Sequence, residues 1–257
     1  MSRDAVLSAK RIVVKVGSSS VSGGNVGQID FLVDALAATQ ARGAEVVLVS
    51  SGAIATALPF LELAGRPGDL ATQQAAAAVG QNILINRYQQ SLRRYSIIAG
   101  QVLLTAGDLE NPTHRSNAQR AMERLLGLRI LPIVNENDTV ATQEIRFGDN
   151  DRLAALVSEL IRADLLVLLS DVDALYTAPP GEPGAVRIPH VPFGDDLAGV
   201  KIGSIGAAGV GTGGAGTKVS AAHYATEHGT PVLLTSTANV EAALSGEGLG
   251  TWFDARA

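Results

Sequence analysis

A succession of short apolar runs, each closing on small or polar residues, constrains this chain more than any other feature. Arg11-Ile-Val-Val-Lys-Val-Gly17 runs into Ser18-Ser-Ser20, and Glu45-Val-Val-Leu-Val-Ser-Ser-Gly52 follows the same plan. Runs over 97–104, 130–134, 165–171 and 231–236 repeat it. Runs of this length, without polar alternation, read as strands buried on both faces. Between the first two, Ile29, Leu32, Val33, Leu36 and Ala37 recur at helical spacing, and Gly43 ends the pattern. Two successive strand–helix units require a parallel sheet with crossover helices. Further helices are expected from Ile54 to Arg94, broken near Gly65-Arg-Pro-Gly68, from Arg152 to Ala163, and from Val219 onward. A short one is expected from Asn239 to Leu244.

The fold class that follows is α/β: one open, mostly parallel sheet sandwiched between helices. In such sheets ligands bind beyond the carboxyl ends of the strands. Those ends carry Gly17-Ser18, Ser51-Gly52, Asn135-Glu-Asn-Asp138 and Ser170-Asp171. Thr139 to Phe147 alternates as a hairpin would, and Gly148-Asp-Asn-Asp151 opens the helix after it, with Asp149 or Asn150 suited to cap it. Asp173 to Pro192, rich in Pro and Gly, reads as a long loop.

Lys15 interrupts the first run with a charge. It either reaches solvent from an edge strand or meets a buried anion. A second cation, Lys218, closes Gly209-Val-Gly-Thr-Gly-Gly-Ala-Gly-Thr-Lys218 at the start of a helix. Glycine backbone amides and a helix N-terminus together form an anion cradle. The stretch fits neither a Walker A motif nor, lacking a strand directly before it, a dinucleotide fingerprint. Taken alone, it also reads as a flexible linker.

Net charge of -5 argues against nucleic acid as a partner, and the absence of cysteine excludes thiolate metal sites. No apolar run reaches the ~18 residues of a membrane span, and the first residues lack a signal-peptide core. A cytoplasmic protein is expected. His114, His190, His223 and His228 show no zinc-ligand spacing and are expected at the surface. No histidine stands at a strand end, so a Ser–His–Asp hydrolase is not indicated. Two lysines with backbone amides suit a phosphoryl group in transfer, whose charge spreads over its oxygens. A hydroxyl acceptor wants a general base, whereas a carboxylate is already ionised at neutral pH, with a pKa near ~4.3. The lack of a histidine base favours acyl phosphate formation. Asp138 and Asn150 are suited to accept from a substrate ammonium group.

Lys15-Val-Gly-Ser-Ser, Val49-Ser-Ser-Gly-Ala-Ile54, Pro132-Ile-Val-Asn-Glu-Asn-Asp138, Phe147-Gly-Asp-Asn-Asp151, Ser170-Asp171 and Gly211-Thr-Gly-Gly-Ala-Gly-Thr-Lys218 stand in the order of the amino acid kinase family. The chain resembles its glutamate 5-kinase branch most closely, over essentially its whole length. The resemblance implies one amino acid kinase domain over 1–257, its N-terminal part binding the acyl substrate and its C-terminal part the nucleotide. It implies ATP with Mg²⁺, L-glutamate as acceptor, and phosphorylation of the γ-carboxylate as the first step of proline biosynthesis. Carried onto this sequence, Ser51, Asp138 and Asn150 look like the glutamate ligands. Lys15 and Lys218 look like the charge stabilisers, and Asp151 resembles an organising acid. Ser170, Asp171, Thr212, Gly213, Gly214, Ala215, Gly216 and Thr217 look like nucleotide contacts beside the two lysines. The 173–192 loop would lie near the adenine. The family usually carries Met where this chain has Ala215, a difference the backbone cradle does not depend on. Many bacterial members add a C-terminal PUA domain, which this chain is expected to lack. Proline as feedback inhibitor, a homo-oligomer paired through the 54–94 region and coupling to glutamyl phosphate reductase are further implications. An acetylglutamate kinase, an isopentenyl phosphate kinase and a non-catalytic amino-acid sensor are the alternatives. The hydrophilic cluster disfavours the first two, and retention of both lysines disfavours the third.

Overall fold

The structure, a computed structural model, describes residues 3–141, 150–200 and 214–256. Residues 142–147 of the expected hairpin, and Gly209 to Gly213 of the glycine stretch, lie outside the described residues. In chain order the elements are α1 (Arg3–Ser8), β1 (Arg11–Val16), α2 (Gln28–Ala41), β2 (Glu45–Ser50), α3 (Ala53–Ala57) and α4 (Leu70–Leu92). Then come β3 (Ala99–Leu104), α5 (Ala106–Glu110), α6 (Pro112–Gly127), β4 (Leu131–Glu136), α7 (Asn150–Leu160) and β5 (Leu165–Ser170). The last third holds β6 (Leu175–Tyr176), β7 (Arg187–Ile188), β8 (His190–Val191), α8 (Ala215–Glu227), β9 (Val232–Ser236), α9 (Val240–Leu244) and β10 (Thr251–Phe253).

The main sheet has the order β3-β4-β2-β1-β5-β9-β10-β8. Every pairing from β3 through β9 is parallel, and β10 runs antiparallel to β9. From β1 the chain builds outward through β2 on one side. After β4 and α7 it returns to build through β5 on the other. The order therefore reverses between β1 and β5, and at such a reversal the loops leaving the two strands part to form a crevice.

Alternation along the strands explains both layers. Val13, Val47, Val49, Val134, Leu166, Leu168, Val232 and Leu234 face one way and share a core with α6, α7 and α8. Ile12, Val14, Val46, Leu48, Ile133, Leu165, Val167 and Leu233 face the other way, toward α2, α4 and α9. Each such side chain, fully buried, stabilises by roughly 1.5–3 kcal/mol before entropy is counted. Among the described residues, no helix is long and apolar enough to cross a membrane.

Two sequence expectations are corrected and two open alternatives are narrowed. The sequence pattern places the strand over 130–134, but β4 runs two residues past Val134, so Asn135 and Glu136 are buried strand residues. Of the two cap candidates, Asn150 lies within α7, and Asp149 lies outside the described residues. The 173–192 segment contains β6, β7 and β8, of which β8 extends the main sheet through β10. Lys15 is on a central strand, paired with both β2 and β5, which removes the edge-strand reading.

The sequence reading passed over α5 and α6. Their signals were local: Thr105 and Asp108 form a capping box, and Asn111 accepts from the amides of Thr113 and His114 ahead of Pro112. α6 is amphipathic but mostly polar, and it buries only Met122 and Leu126.

Candidate active site

The parallel strands end on one edge, and the crevice lies there. Val16 is level with Ser50, so the loops leaving β1 and β2 start side by side. After β2, Gly52 adopts φ +100, a left-handed conformation that costs an L side chain roughly 1–2 kcal/mol. That turn leaves Ser51 half-buried at the strand end and starts α3 at once. Across the reversal, the Ser19 hydroxyl donates to Asp171 Oδ1 at 2.8 Å, which ties the loop after β1 to the loop after β5. Ser20 and Thr237 hydroxyls meet at 2.8 Å and add the loop after β9.

Lys15 alternates with Val13 and so belongs to the face covered by α7 and α8. It is 2% exposed, and an unpaired ammonium there would cost several kcal/mol. Asp151, in the first turn of α7 and 0% exposed, is the answering charge: Lys15 Nζ lies 2.5 Å from its Oδ1. Lys218, in the first turn of α8, places Nζ 3.0 Å from Oδ2 of the same carboxylate. The Thr217 hydroxyl also lies 3.0 Å from that oxygen. One carboxylate thus gathers two buried lysines, and the three groups together carry a net positive charge. That excess favours an anion in front of them.

The first turn of α8 adds to this. Its N-cap is Gly214, in extended conformation, and among the described residues no side chain caps the end. First-turn amides have no intrahelical partner and carry the positive end of the helix dipole. Gly214, Ala215, Gly216 and Thr217 therefore suit phosphate oxygens. Thr212 and Gly213 lie outside the described residues. Ser170 ends β5 half-buried, and Asp171 is exposed just beyond it.

A buried amide network stands beside Asp151. Asn150 Nδ2 donates to the Ser50 carbonyl at 2.6 Å and to Asn135 Oδ1 at 2.7 Å. Asn135 Nδ2 donates to Gln81 Oε1 at 2.7 Å, and Asn135 Oδ1 also accepts from the Glu136 amide at 2.9 Å. Gln81 further lines a cavity of about 360 Å³ with Glu136, Asn137 and Asp138, of a size that holds a small ligand. Asp138 is half-buried there. Of the expected substrate ligands, only Asp138 lines this cavity. Asn150 connects to it through Asn135 and Gln81, and Ser51 directly follows Ser50, whose carbonyl Asn150 bonds. The cavity's floor depends on a close helix contact: a Cβ at Gly80 would come 1.8 Å from the Ala53 carbonyl oxygen.

Farther from the sheet edge, Tyr224 of α8 donates to Glu159 Oε2 of α7 at 2.6 Å, and Arg115 of α6 donates to Glu159 Oε1 at 2.8 Å. Burial, then the Glu159 carboxylate, pushes the Tyr224 phenol up to about 12. These bonds fix α7 against α8, and with them Asp151 against Lys218. Sequence reasoning missed Gln81, Glu159 and Tyr224, since nothing about a Gln, Glu or Tyr on a helix marks its partner.

Known proteins agree with this architecture. A model of the amino acid kinase family matches residues 10–236. A protein of Clavibacter michiganensis subsp. michiganensis named glutamate 5-kinase is 75% identical over 99% of this chain and 98% of its own length. Another of that name, from Salinispora arenicola, is 57% identical over 98% of this chain and 69% of its own length. Among solved structures, carbamate kinase from Giardia lamblia bound to AMP-PNP superposes with a TM-score of 0.70 at 17% identity, covering 97% of this chain and 100% of that one. At that identity the likeness is one of fold.

Proposed function

Since this chain belongs to the amino acid kinase family, we propose that it phosphorylates the γ-carboxylate of L-glutamate with ATP, giving L-glutamyl 5-phosphate. The convergence of Lys15 and Lys218 on Asp151 at the reversal of strand order carries this reading. A γ-carboxylate oxygen attacks the terminal phosphorus, the bond to the β-phosphate oxygen breaks, and ADP departs with the electron pair. No proton has to be removed from the acceptor. What the chain supplies is position and charge. Lys15 and Lys218 neutralise the equatorial oxygens of the group in flight, and Asp151 keeps both ammonium groups from drifting apart. The α8 first turn from Gly214 to Thr217, with Thr212 and Gly213 before it, holds the nucleotide phosphates, with Ser170 and Asp171 across the crevice. Ser51, Asp138 and Asn150 hold the amino acid, Asp138 as partner of its ammonium group. The N-terminal part of the domain serves the acyl substrate and the C-terminal part the nucleotide.

Among the described residues there is no cluster of three or more side chains suited to a metal. Mg²⁺ would be held chiefly by the ATP phosphates, as that ion ordinarily is, and would supply charge neutralisation there. In this reading the reaction opens proline biosynthesis in the cytoplasm, and proline acts at or beside the Asp138 cavity. The protein works as a homo-oligomer. Its acyl phosphate, prone to hydrolysis and cyclisation, passes to a glutamyl phosphate reductase.

An ATP- and Mg²⁺-dependent hydroxamate assay tests the reaction, because hydroxylamine traps an acyl phosphate as it forms. Product from L-glutamate but not from N-acetyl-glutamate or aspartate is expected, with less product when proline is added. ATP binding without product from any acid would refute the carboxylate acceptor.

A further inference from the structure

The polarity of the buried amide network follows from its two backbone ends. The Ser50 carbonyl can only accept, so the Asn150 atom 2.6 Å from it is the NH₂ group. Both of that group's protons are then used, one on Ser50 and one on Asn135 Oδ1. The Glu136 amide can only donate, so the Asn135 atom facing it is also the carbonyl, in agreement. Asn135 must therefore turn its own NH₂ to Gln81, and Gln81 must answer with Oε1. No member can flip without setting donor against donor or acceptor against acceptor. Asn150 is left with its carbonyl oxygen alone to offer, and that oxygen has no hydrogen-bond partner among the described residues. An oxygen so presented accepts from an ammonium group and cannot serve a carboxylate.

We propose that Gln81 is a positioning residue for the substrate amine: through Asn135 it holds Asn150 with its carbonyl oxygen toward the α-ammonium group of the amino acid. The inference rests on the reading of Asn150 as a glutamate ligand and adds what orients it. Gln81 and Asn135 are 8% and 2% exposed, and the Gln81 carbonyl is taken up by Asn135 Nδ2, so that oxygen acts on the substrate only through the network. Gln81 sits on α4 beside Gly80, where a Cβ would come 1.8 Å from the Ala53 carbonyl oxygen of α3, and this close contact fixes the helix carrying the network's far end.

The test is Gln81→Leu, which removes the acceptor for Asn135 Nδ2 and keeps the volume. The readout is discrimination between L-glutamate and glutarate, the same dicarboxylate without an amine, taken as glutarate Ki over glutamate KM. A drop of about tenfold in that ratio is expected, the worth of one hydrogen bond to a charged group. The KM for ATP should stay within about twofold, because no nucleotide contact is touched. A purely structural defect would weaken both dicarboxylates alike and leave the ratio unchanged, and that result overturns the proposal. A double-mutant cycle gives the second criterion. In an Asn150→Ala background, Gln81→Leu should change glutamate KM by less than about twofold, because it acts through the missing side chain. A full additive loss there also overturns it. Failure of the wild-type protein to phosphorylate L-glutamate would instead refute the underlying function, and is told apart by that control.

Discussion

Asp151→Asn keeps the shape of the side chain that joins Lys15 to Lys218 and removes its charge. The expected cost can be bounded from two directions. At N···O separations of 2.5 and 3.0 Å, each ion pair is worth roughly 5–7 kcal/mol of gross attraction at an effective dielectric constant near ~20, much of it offset by desolvation. Breaking a buried pair of this kind ordinarily costs about 3–5 kcal/mol. The ceiling comes from proton release. A lysine that ordinarily titrates near ~10.4 can become neutral at pH 7 for about 4.6 kcal/mol, so the cost per stranded lysine does not exceed that. A loss of about 4 kcal/mol is therefore expected in the protein without nucleotide. For a domain of this size that lowers Tm by about 8–16 °C. ATP should reverse much of the loss, since its phosphates bring the missing negative charge to the two ammonium groups. The nucleotide-induced rise in Tm should be larger in the variant than in the wild type, while kcat falls because the lysines are no longer held together on one carboxylate. Urea unfolding and thermal scans, each with and without ATP, give both quantities. A variant within about 1 kcal/mol of the wild type, or an equal rise in Tm for both proteins, would refute the picture of two cations held on one buried carboxylate.

Other perturbations separate the remaining parts. Lys218→Ala should lower kcat by about 10²–10³-fold and change glutamate KM far less, because its charge matters most in the transition state; equal losses in both would remove it from that role. Gly80→Ala puts a methyl 1.8 Å from the Ala53 carbonyl oxygen; forcing α3 and α4 apart should cost about 1–3 kcal/mol in urea unfolding and raise glutamate KM through Gln81, and an unchanged midpoint would refute the close contact. Tyr224 titrates at about 12 in the folded protein against an ordinary value of 10.0, so between those values the unfolded chain loses a proton the folded chain keeps. Its contribution is full below pH 10 and is lost as pH rises through 12, to a degree reduced by solvent screening of this part-exposed group. Tyr224→Phe should therefore lose stability less steeply over that range, which unfolding midpoints at successive pH values would measure.

What could be read along the chain was local. Apolar runs of strand length show themselves because every side chain of a strand buried on both faces must be apolar, and their polar ends show because turns and binding sites draw on few residue types. Those two patterns suffice for the α/β class and for putting Ser51, Asn135, Asp138, Ser170 and Asp171 on one edge of the sheet. The lysine inside β1 was visible as an anomaly, but its partner was not. An edge strand and a central strand have the same sequence here, and only the order β2-β1-β5 excluded water from Lys15 and made a buried anion necessary. The same holds for the amide network. Asn150 reaches Ser50 across 100 residues of chain and Lys218 reaches Asp151 across 67, distances at which neither spacing nor propensity carries information. Strand register, and the packing of α7 and α8 on one face of β1, decided which polar groups were shut away from water together. Once shut away they had to satisfy one another, and that requirement set the orientation of Asn150 and the pairing of both lysines with Asp151.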